Sequence, residues 1–168
     1  MPHLSKHQQL PHFMAALVSR NQAYLPAVEF LDAVIKNASE LTWTECEEIG
    51  AALDTQNCSG FCLGIRNGML EALPEGKRNL TPLIDLALKI DKTGGQIDAS
   101  DYDALHNAGW SDDTAEDVLA LVAAFKIYSI LANGMGFGTL PSEAFAEMGE
   151  GTVANQGYAP VFRSFMQG

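Results

Sequence analysis

Apolar residues along this chain recur at three- and four-residue steps, and strict alternation is scarce. That period predicts helices and little or no strand. A first helix is expected over about Leu10 to Arg20. A second runs from about Tyr24 to Asn37, with Leu25, Val28, Leu31 and Ile35 on its apolar face and Pro26 in its first turn, where a missing N–H costs little. Thr42 to Glu45, "TWTE", reads as a capping box in which the threonine accepts from the helix N–H groups and the glutamate reaches back. It opens a third helix to about Gln56. "NCSG" breaks the pattern, and Ser59 is placed to cap a fourth helix ending near Leu73. After the turn-rich "LPEGKRN", Thr81-Pro82 opens a fifth helix to about Lys92, and "TGG" stops it. Ser100 to Ala108 form a short sixth. Ser111 with Asp112 and Asp113 opens a long seventh helix to about Asn133, closed by Gly134, Gly136 and Gly138. After Pro141 a short helix reaches Met148, and "GEGTVANQGYAPVF" reads as irregular. No repeat or long linker divides the chain. The expectation is one all-α domain of seven or eight helices.

Composition agrees with a packed globule. The chain has 168 residues, 47% apolar and 18% charged, enough for one core. Its longest apolar stretch, "VLALVAAFKIYSILANGMGFG", carries Lys126 and Asn133 and reads as a buried helix rather than a membrane span. The N-terminus lacks a signal-peptide pattern, so a reducing cytoplasm is expected. Net charge is −11, and the basic residues form no stripe that follows phosphates. Nucleic acid and anionic membranes are therefore excluded as partners. The acids between Asp98 and Asp117 read as a solvated face. The seventh helix is apolar on several sides: Val118, Leu119, Leu121, Val122, Phe125, Ile127, Ile130 and Leu131 exceed one stripe. It must be covered inside the subunit or by a neighbour.

Few residues point to chemistry. "DKTGGQIDASDY" begins like a calcium loop, but Gln96 and Tyr102 occupy the sixth and twelfth positions, where glycine and a bidentate acid are needed. His3, His7 and His12 lie in what reads as a frayed, solvated tail without other ligands, and His106 lies beside a turn. Cys46, Cys58 and Cys62 are an odd number without the second pair of a structural zinc site, so neither metal nor cofactor is expected. Cys62 falls in the first turn of the fourth helix, where N–H groups and the helix dipole favour a thiolate. Arg66 is one turn further on the same face and brings positive charge. Glu47, on the preceding helix, is a third member if the two helices pack antiparallel. Ionised, it opposes a thiolate; poised near neutrality, it removes the thiol proton. A redox pair and two buried small hydrophobes both remain open readings of Cys58 and Cys62.

Three stretches carry a resemblance: "LTWTECEEIGAALDTQNCSGFCLGIRNGML", "LTPLIDLALKI" and "DYDALHNAGWSDDTAEDVLALVAAFKIYSILANGMG". Together they resemble the AhpD-like (alkylhydroperoxidase D) and carboxymuconolactone decarboxylase family over about Leu25 to Gly138, leaving an irregular tail from about residue 149. The resemblance implies an all-α fold assembled into trimers or hexamers. The family's peroxidases use a glutamate, C-x-x-C and a histidine four residues later. Glu47 matches the glutamate, and Cys62 matches the second, peroxide-reacting cysteine. Ser59 takes the resolving-cysteine position, with Cys58 displaced by one, and Arg66 replaces the histidine. Arginine stays charged and cannot relay a proton. The implied activity is thiol-dependent reduction of a hydroperoxide: Cys62 reacts, Cys58 resolves, Glu47 accepts the proton and Arg66 holds the thiolate. A thiol or disulfide-reductase protein would be the reductant. Two alternatives stand beside it, an oligomeric binding or scaffold protein on the same fold, and decarboxylation of a lactone.

Overall fold

The computed structural model describes residues 1–167. Among these residues there is no strand, and the chain forms nine α-helices in one domain. They are α1 (Phe13–Val18), α2 (Asn21–Lys36), α3 (Trp43–Gln56), α4 (Gly60–Ala72), α5 (Thr81–Thr93), α6 (Asp103–Asn107), α7 (Asp112–Met135), α8 (Ser142–Ala154) and α9 (Tyr158–Gln167). Two short 3-10 turns, Ser5–His7 and Ala99–Tyr102, complete the order.

Local signals set most boundaries. The Thr42–Glu45 capping box forms, and Arg78 adds a contact to Glu45 at 2.6 Å through Nε. Ser111 accepts from the Thr114 N–H at the start of α7. Gly94 and Gly136 end α5 and α7 in the left-handed conformation, which glycine adopts at little cost. Two local readings give way. The second helix begins at Asn21, so Pro26 lies inside it rather than in its first turn. Ser59 occupies the cap position of α4, but its ψ of 76° turns the side chain away from a capping bond.

Two apolar cores result. One gathers Leu31, Ile49, Leu83, Leu105, Leu121 and Phe125 between α2, α3, α5, α6 and α7. The other gathers Phe13, Phe61, Met69, Phe145 and Phe162 between α1, α4, α8 and α9. Trp43, Tyr128 and Tyr158 pack against both, along the seam. By length and composition α7 is the one described helix apolar enough to cross a membrane. Here it packs against α2, α3, α4 and α5.

The stretch from Gly149 onward corrects the sequence expectation. The stretch read as irregular continues α8 to Ala154 and then forms α9, which raises the count to nine. Packing supplies what local propensity lacks. A Cβ on Gly149 would lie 2.2 Å from the Gly68 carbonyl carbon, and one on Gly68 would lie 2.2 Å from the Phe145 carbonyl oxygen. These glycines let α4 and α8 meet backbone to backbone. The first turn of α9 is held from afar: Asp32 on α2 accepts from the Tyr158 and Ala159 N–H groups at 2.8 and 3.1 Å. The N-terminus is likewise tied down rather than solvated. The His3 N–H donates to the Met135 carbonyl at 2.8 Å, His12 caps α1, and the His7 ring is buried against Phe137.

Gly149→Ala is expected to destabilise the protein by about 1–3 kcal/mol or more, because the neighbour that must move is backbone. Gly151→Ala, two positions on and facing open space, is expected to stabilise by about 0.5–1 kcal/mol through helix propensity. Chemical denaturation of the two variants checks the contrast. Equal effects would show that the α4–α8 approach is not what limits position 149.

Candidate functional site

The site grows from α3 and α4, which run together and bring residues of one helix opposite those of the other. Glu47 and Asp54 are seven positions apart on α3 and so share a face. Arg66, on α4, reaches between them. Its Nη1 donates to Glu47 Oε2 at 2.5 Å and its Nε to Asp54 Oδ2 at 2.6 Å. All three side chains are essentially withdrawn from solvent, at 4%, 0% and 1% exposure. The guanidinium's central carbon is 3.7 Å from the Phe125 ring centroid. Gly50 leaves it the space a side chain would fill, since a Cβ there would come within 2.7 Å of that carbon.

Glu47 has further partners. Trp43 Nε1 donates to Oε1 at 3.0 Å, and Tyr158 Oη lies 2.9 Å from both carboxylate oxygens. Tyr158 arrives from α9 and Trp43 from the first turn of α3, so the ion cluster is clasped where the two cores meet. Burial disfavours the charge on Arg66, but Tyr158, Asp54 and Glu47 more than offset it, and its pKa lies above the ordinary value. Burial raises the Asp54 pKa; Arg66 opposes the shift without cancelling it, while Glu47 and Asp91 reinforce it. Burial and Glu47 likewise hold Tyr158 in its neutral form.

The three cysteines occupy different surroundings, all as free thiols. Cys46 is sealed in the first core, where burial pushes its pKa to about 12. Cys58 is exposed in the turn before α4, at a left-handed φ of 50°. Asn57 beside it is held by Lys126, Asp91 and Asn133. Cys62 is buried and lines a cavity of about 340 Å³. The cavity lies between α1, α2, α4, α7, α8 and α9, with Phe13, Leu17, Phe61, Ile65 and Val161 in its walls. Tyr128, Arg66 and Tyr158 also line it; Cys58 does not.

This geometry brings Glu47 and Arg66 together as the sequence predicts, and it places Cys62 one turn from Arg66. It does not give Cys62 the expected thiolate character. Burial, reinforced by the charge of Asp54, pushes the thiol up to about 11, against smaller opposing effects from Ser59 and Arg66. Arg66 offsets little of the burial effect because Glu47 and Asp54 already share its charge. Nor does Ser59 cap the helix over the thiol: its buried hydroxyl makes no hydrogen bond to the N–H groups of α4. Cys58, exposed in the turn before α4, does not line the cavity. Three members of the site escaped the sequence reading. Asp54 carried a signal in its seven-residue spacing from Glu47. Tyr128 and Tyr158 carried none, because they arrive from α7 and α9 through tertiary packing.

Arg66→Met is expected to cost about 3–5 kcal/mol near neutral pH, since it strands two buried carboxylates. Those carboxylates then have folded-state pKa values above their unfolded ones. The folded state binds more protons, so stability is regained as pH falls. Urea unfolding of the variant at pH 8 and pH 5.5 should show the smaller deficit at the lower pH. An equal deficit at both would mean that the carboxylates had found solvent or other partners.

No family model matches the chain, and no curated protein matches it. A solved structure does. The chain is similar to a crystal structure of an alkylhydroperoxidase AhpD core, an uncharacterized peroxidase-related protein from Ralstonia eutropha JMP134. The TM-score is 0.69 at 22% sequence identity, over 81% of this chain and 79% of that one. The single all-α domain described above therefore has an AhpD-like fold.

Proposed function

We propose that the protein is a thiol-dependent hydroperoxide reductase in which Cys62 is the reacting residue. One observation carries this reading: of the three cysteines, Cys62 is the one that lines the apolar cavity. An organic hydroperoxide seated there would meet the sulfur away from bulk water. The sulfur attacks the terminal peroxide oxygen, the O–O bond breaks, and Cys62 becomes a sulfenic acid while the organic part leaves as an alcohol. The thiol proton must reach the departing alkoxide. Glu47 is a poor acceptor, because Arg66, Tyr158 and Trp43 already occupy its oxygens. Asp54, the acid whose charge is felt at Cys62, takes that role in this proposal. Arg66 fixes Asp54 and balances part of its charge. Cys58, exposed in the turn four residues before Cys62, resolves the sulfenic acid where the two sulfurs can meet. Otherwise an external thiol forms a mixed disulfide with release of water, and a second thiol restores Cys62. A thiol-rich, reducing compartment such as the cytoplasm suits that supply.

The raised thiol pKa sets the expected kinetics. A group with pKa about 11 is ionised in roughly one part in 10⁴ at pH 7. Only the thiolate attacks. Cumene hydroperoxide consumption, followed by stopped flow on the reduced protein, should be slow at pH 7. It should rise about tenfold per pH unit toward pH 10 and vanish in Cys62→Ser. A rate insensitive to that substitution would sink the proposal.

A second reading, a binding or scaffold protein on the same fold, is favoured by a specific fact: the guanidinium that would hold a thiolate is spent on Glu47 and Asp54. Under it, Cys62 resists alkylation in the native protein at every pH at which the fold survives. Decarboxylation of a lactone receives no support from the cavity, whose only basic lining residue is the paired Arg66.

Assembly into a trimer or hexamer is part of the proposal. Its support is residual apolar exposure on helices otherwise packed in the core: Ile130 of α7 is 59% exposed and Phe30 of α2 is 44% exposed. Light scattering at micromolar concentration should return three or six times the monomer mass, and a monomer would reject it.

A further inference from the structure

The cavity beside Cys62 differs between its depth and its rim in what it offers a ligand. In its depth the polar groups are engaged or out of reach. Arg66 is bonded to Glu47 and Asp54, Tyr158 to Glu47, and Thr152 Oγ1 donates to the Met148 carbonyl at 2.8 Å. The Tyr128 hydroxyl is buried. Hydrocarbon and the Cys62 thiol are what remain. At the rim, three exposed side chains of α8 and of α9 and its approach line the cavity: Glu147, Asn155 and Ser164. Their donors turn back onto the helices. Asn155 Nδ2 donates to the Gly151 carbonyl and Ser164 Oγ to the Val161 carbonyl, both at 2.7 Å. The rim therefore presents acceptor oxygens: the Asn155 Oδ1, the Ser164 Oγ and the Glu147 carboxylate.

The charge at the rim has one sign. Among the described residues Glu147 has no ion-pair partner, while every basic residue on the helices that wall the cavity has one. Lys36 pairs with Asp32, Arg66 with Glu47 and Asp54, Lys126 with Asp91, and Arg163 with Glu29. α1 and α8 carry no lysine or arginine. Arg20, just before α2, lies over the Tyr24 ring. His12, at the start of α1, faces the Phe165 ring, and burial lowers its pKa, so it is neutral at neutral pH. Glu143 and Glu150, four residues before Glu147 and three after it, share its face of α8 and are exposed. An anionic head would meet like charge at the rim and no counter-ion within. A cationic head stays hydrated at the rim beside a carboxylate while its hydrocarbon leaves water.

We infer that the cavity binds primary alkyl- and arylalkylammonium ions, whose hydrocarbon part fills the space between Phe13, Phe61 and Ile65 while the ammonium stays at the rim on Glu147. A primary ammonium has three N–H donors and no acceptor, the complement of a rim that offers acceptors. Carboxylates of the same chain length are disfavoured. The inference goes beyond hydroperoxide reduction and needs no reaction at sulfur.

The test measures binding of octylammonium and octanoate to the reduced full-length protein by calorimetry at pH 7.5. Octylammonium should bind about fivefold or more tightly than octanoate, the combined size of one favourable and one unfavourable exposed charge contact. Raising the salt to about 0.5 M should shrink the gap, because exposed charges are screened. Glu147→Lys, a change at an exposed position, should close the gap or invert it. Gly151 lines the cavity and its missing Cβ faces open space, so Gly151→Leu should fill the cavity and abolish binding of octylammonium. Where that variant does not fold, nuclear Overhauser contacts from the ligand methyl to the Phe13 and Phe61 rings of the wild type answer the same question. Octanoate binding as tightly as octylammonium overturns the proposal, and so does a preference untouched by Glu147→Lys. Failure of octylammonium to bind, or binding indifferent to a folded Gly151→Leu protein and without ring contacts, overturns it equally. Ammonium binding by a protein that consumes no hydroperoxide would reject the peroxidase reading and leave this inference standing. Hydroperoxide consumption without ammonium binding would do the reverse.

Discussion

A guanidinium held between two carboxylates, out of reach of water, is the interaction around which this molecule is arranged. Taking three charged groups out of solvent is expensive, and the mutual attraction repays it only when the geometry is close and the remaining hydrogen-bonding positions are filled. Here they are filled by groups from several helices. Glu47 and Asp54 come from α3, Arg66 from α4, Phe125 from α7 and Tyr158 from α9. Gly50 contributes by having no side chain. A shift of any of these helices would leave a charge or a donor unpaired. The cluster thereby fixes the register of α3 against α4 and joins the two apolar cores at their seam.

That arrangement has a chemical consequence for the neighbouring sulfur. A lone arginine one helical turn from Cys62 would pull the thiol toward ionisation. The same arginine engaged by two acids offers the thiol little net field, and the Asp54 charge works against the thiolate. Structural satisfaction of Arg66 and activation of Cys62 compete for one positive charge. Cys62 is therefore enclosed beside an apolar cavity as a thiol rather than as a standing thiolate.

The C-terminal helices complete the site. α8 lies against α4 because glycines at 68 and 149 remove the side chains that would separate them. It carries Met148 and Thr152 to the cavity wall. α9 starts where Asp32 of α2 caps it, and that cap aims Tyr158 at Glu47. Without these two helices the second core would lose Phe145 and Phe162, and the cavity would lose much of its wall. The fold's outer layer and the organisation of its buried charges are therefore one problem solved together.

How much of this was legible in the sequence follows from the range of each force. Capping at Thr42 and Ser111, glycine stops at Gly94 and Gly136, and apolar spacing along α3, α5 and α7 act within a few residues, so the chain by itself determined an all-α domain and most helix limits. Cys62 and Arg66 were visible because a four-residue step puts them on one face of α4, while Glu47 joined them only on the condition that α3 and α4 pack together. Local rules failed where a distant group decided the outcome. The region from Gly149 onward is poor in helix formers, yet α4 and Asp32 make it helical. Ser59 stands at a cap position, yet its hydroxyl makes no capping bond to α4. Arg66 is free by sequence to serve Cys62, and the fold sets Asp54 against it. Spacing places side chains on a face, but only packing between helices decides how deeply each is buried and which charge it meets, and here burial first, with the neighbouring charges, sets the direction of the shifts at Asp54 and Cys62.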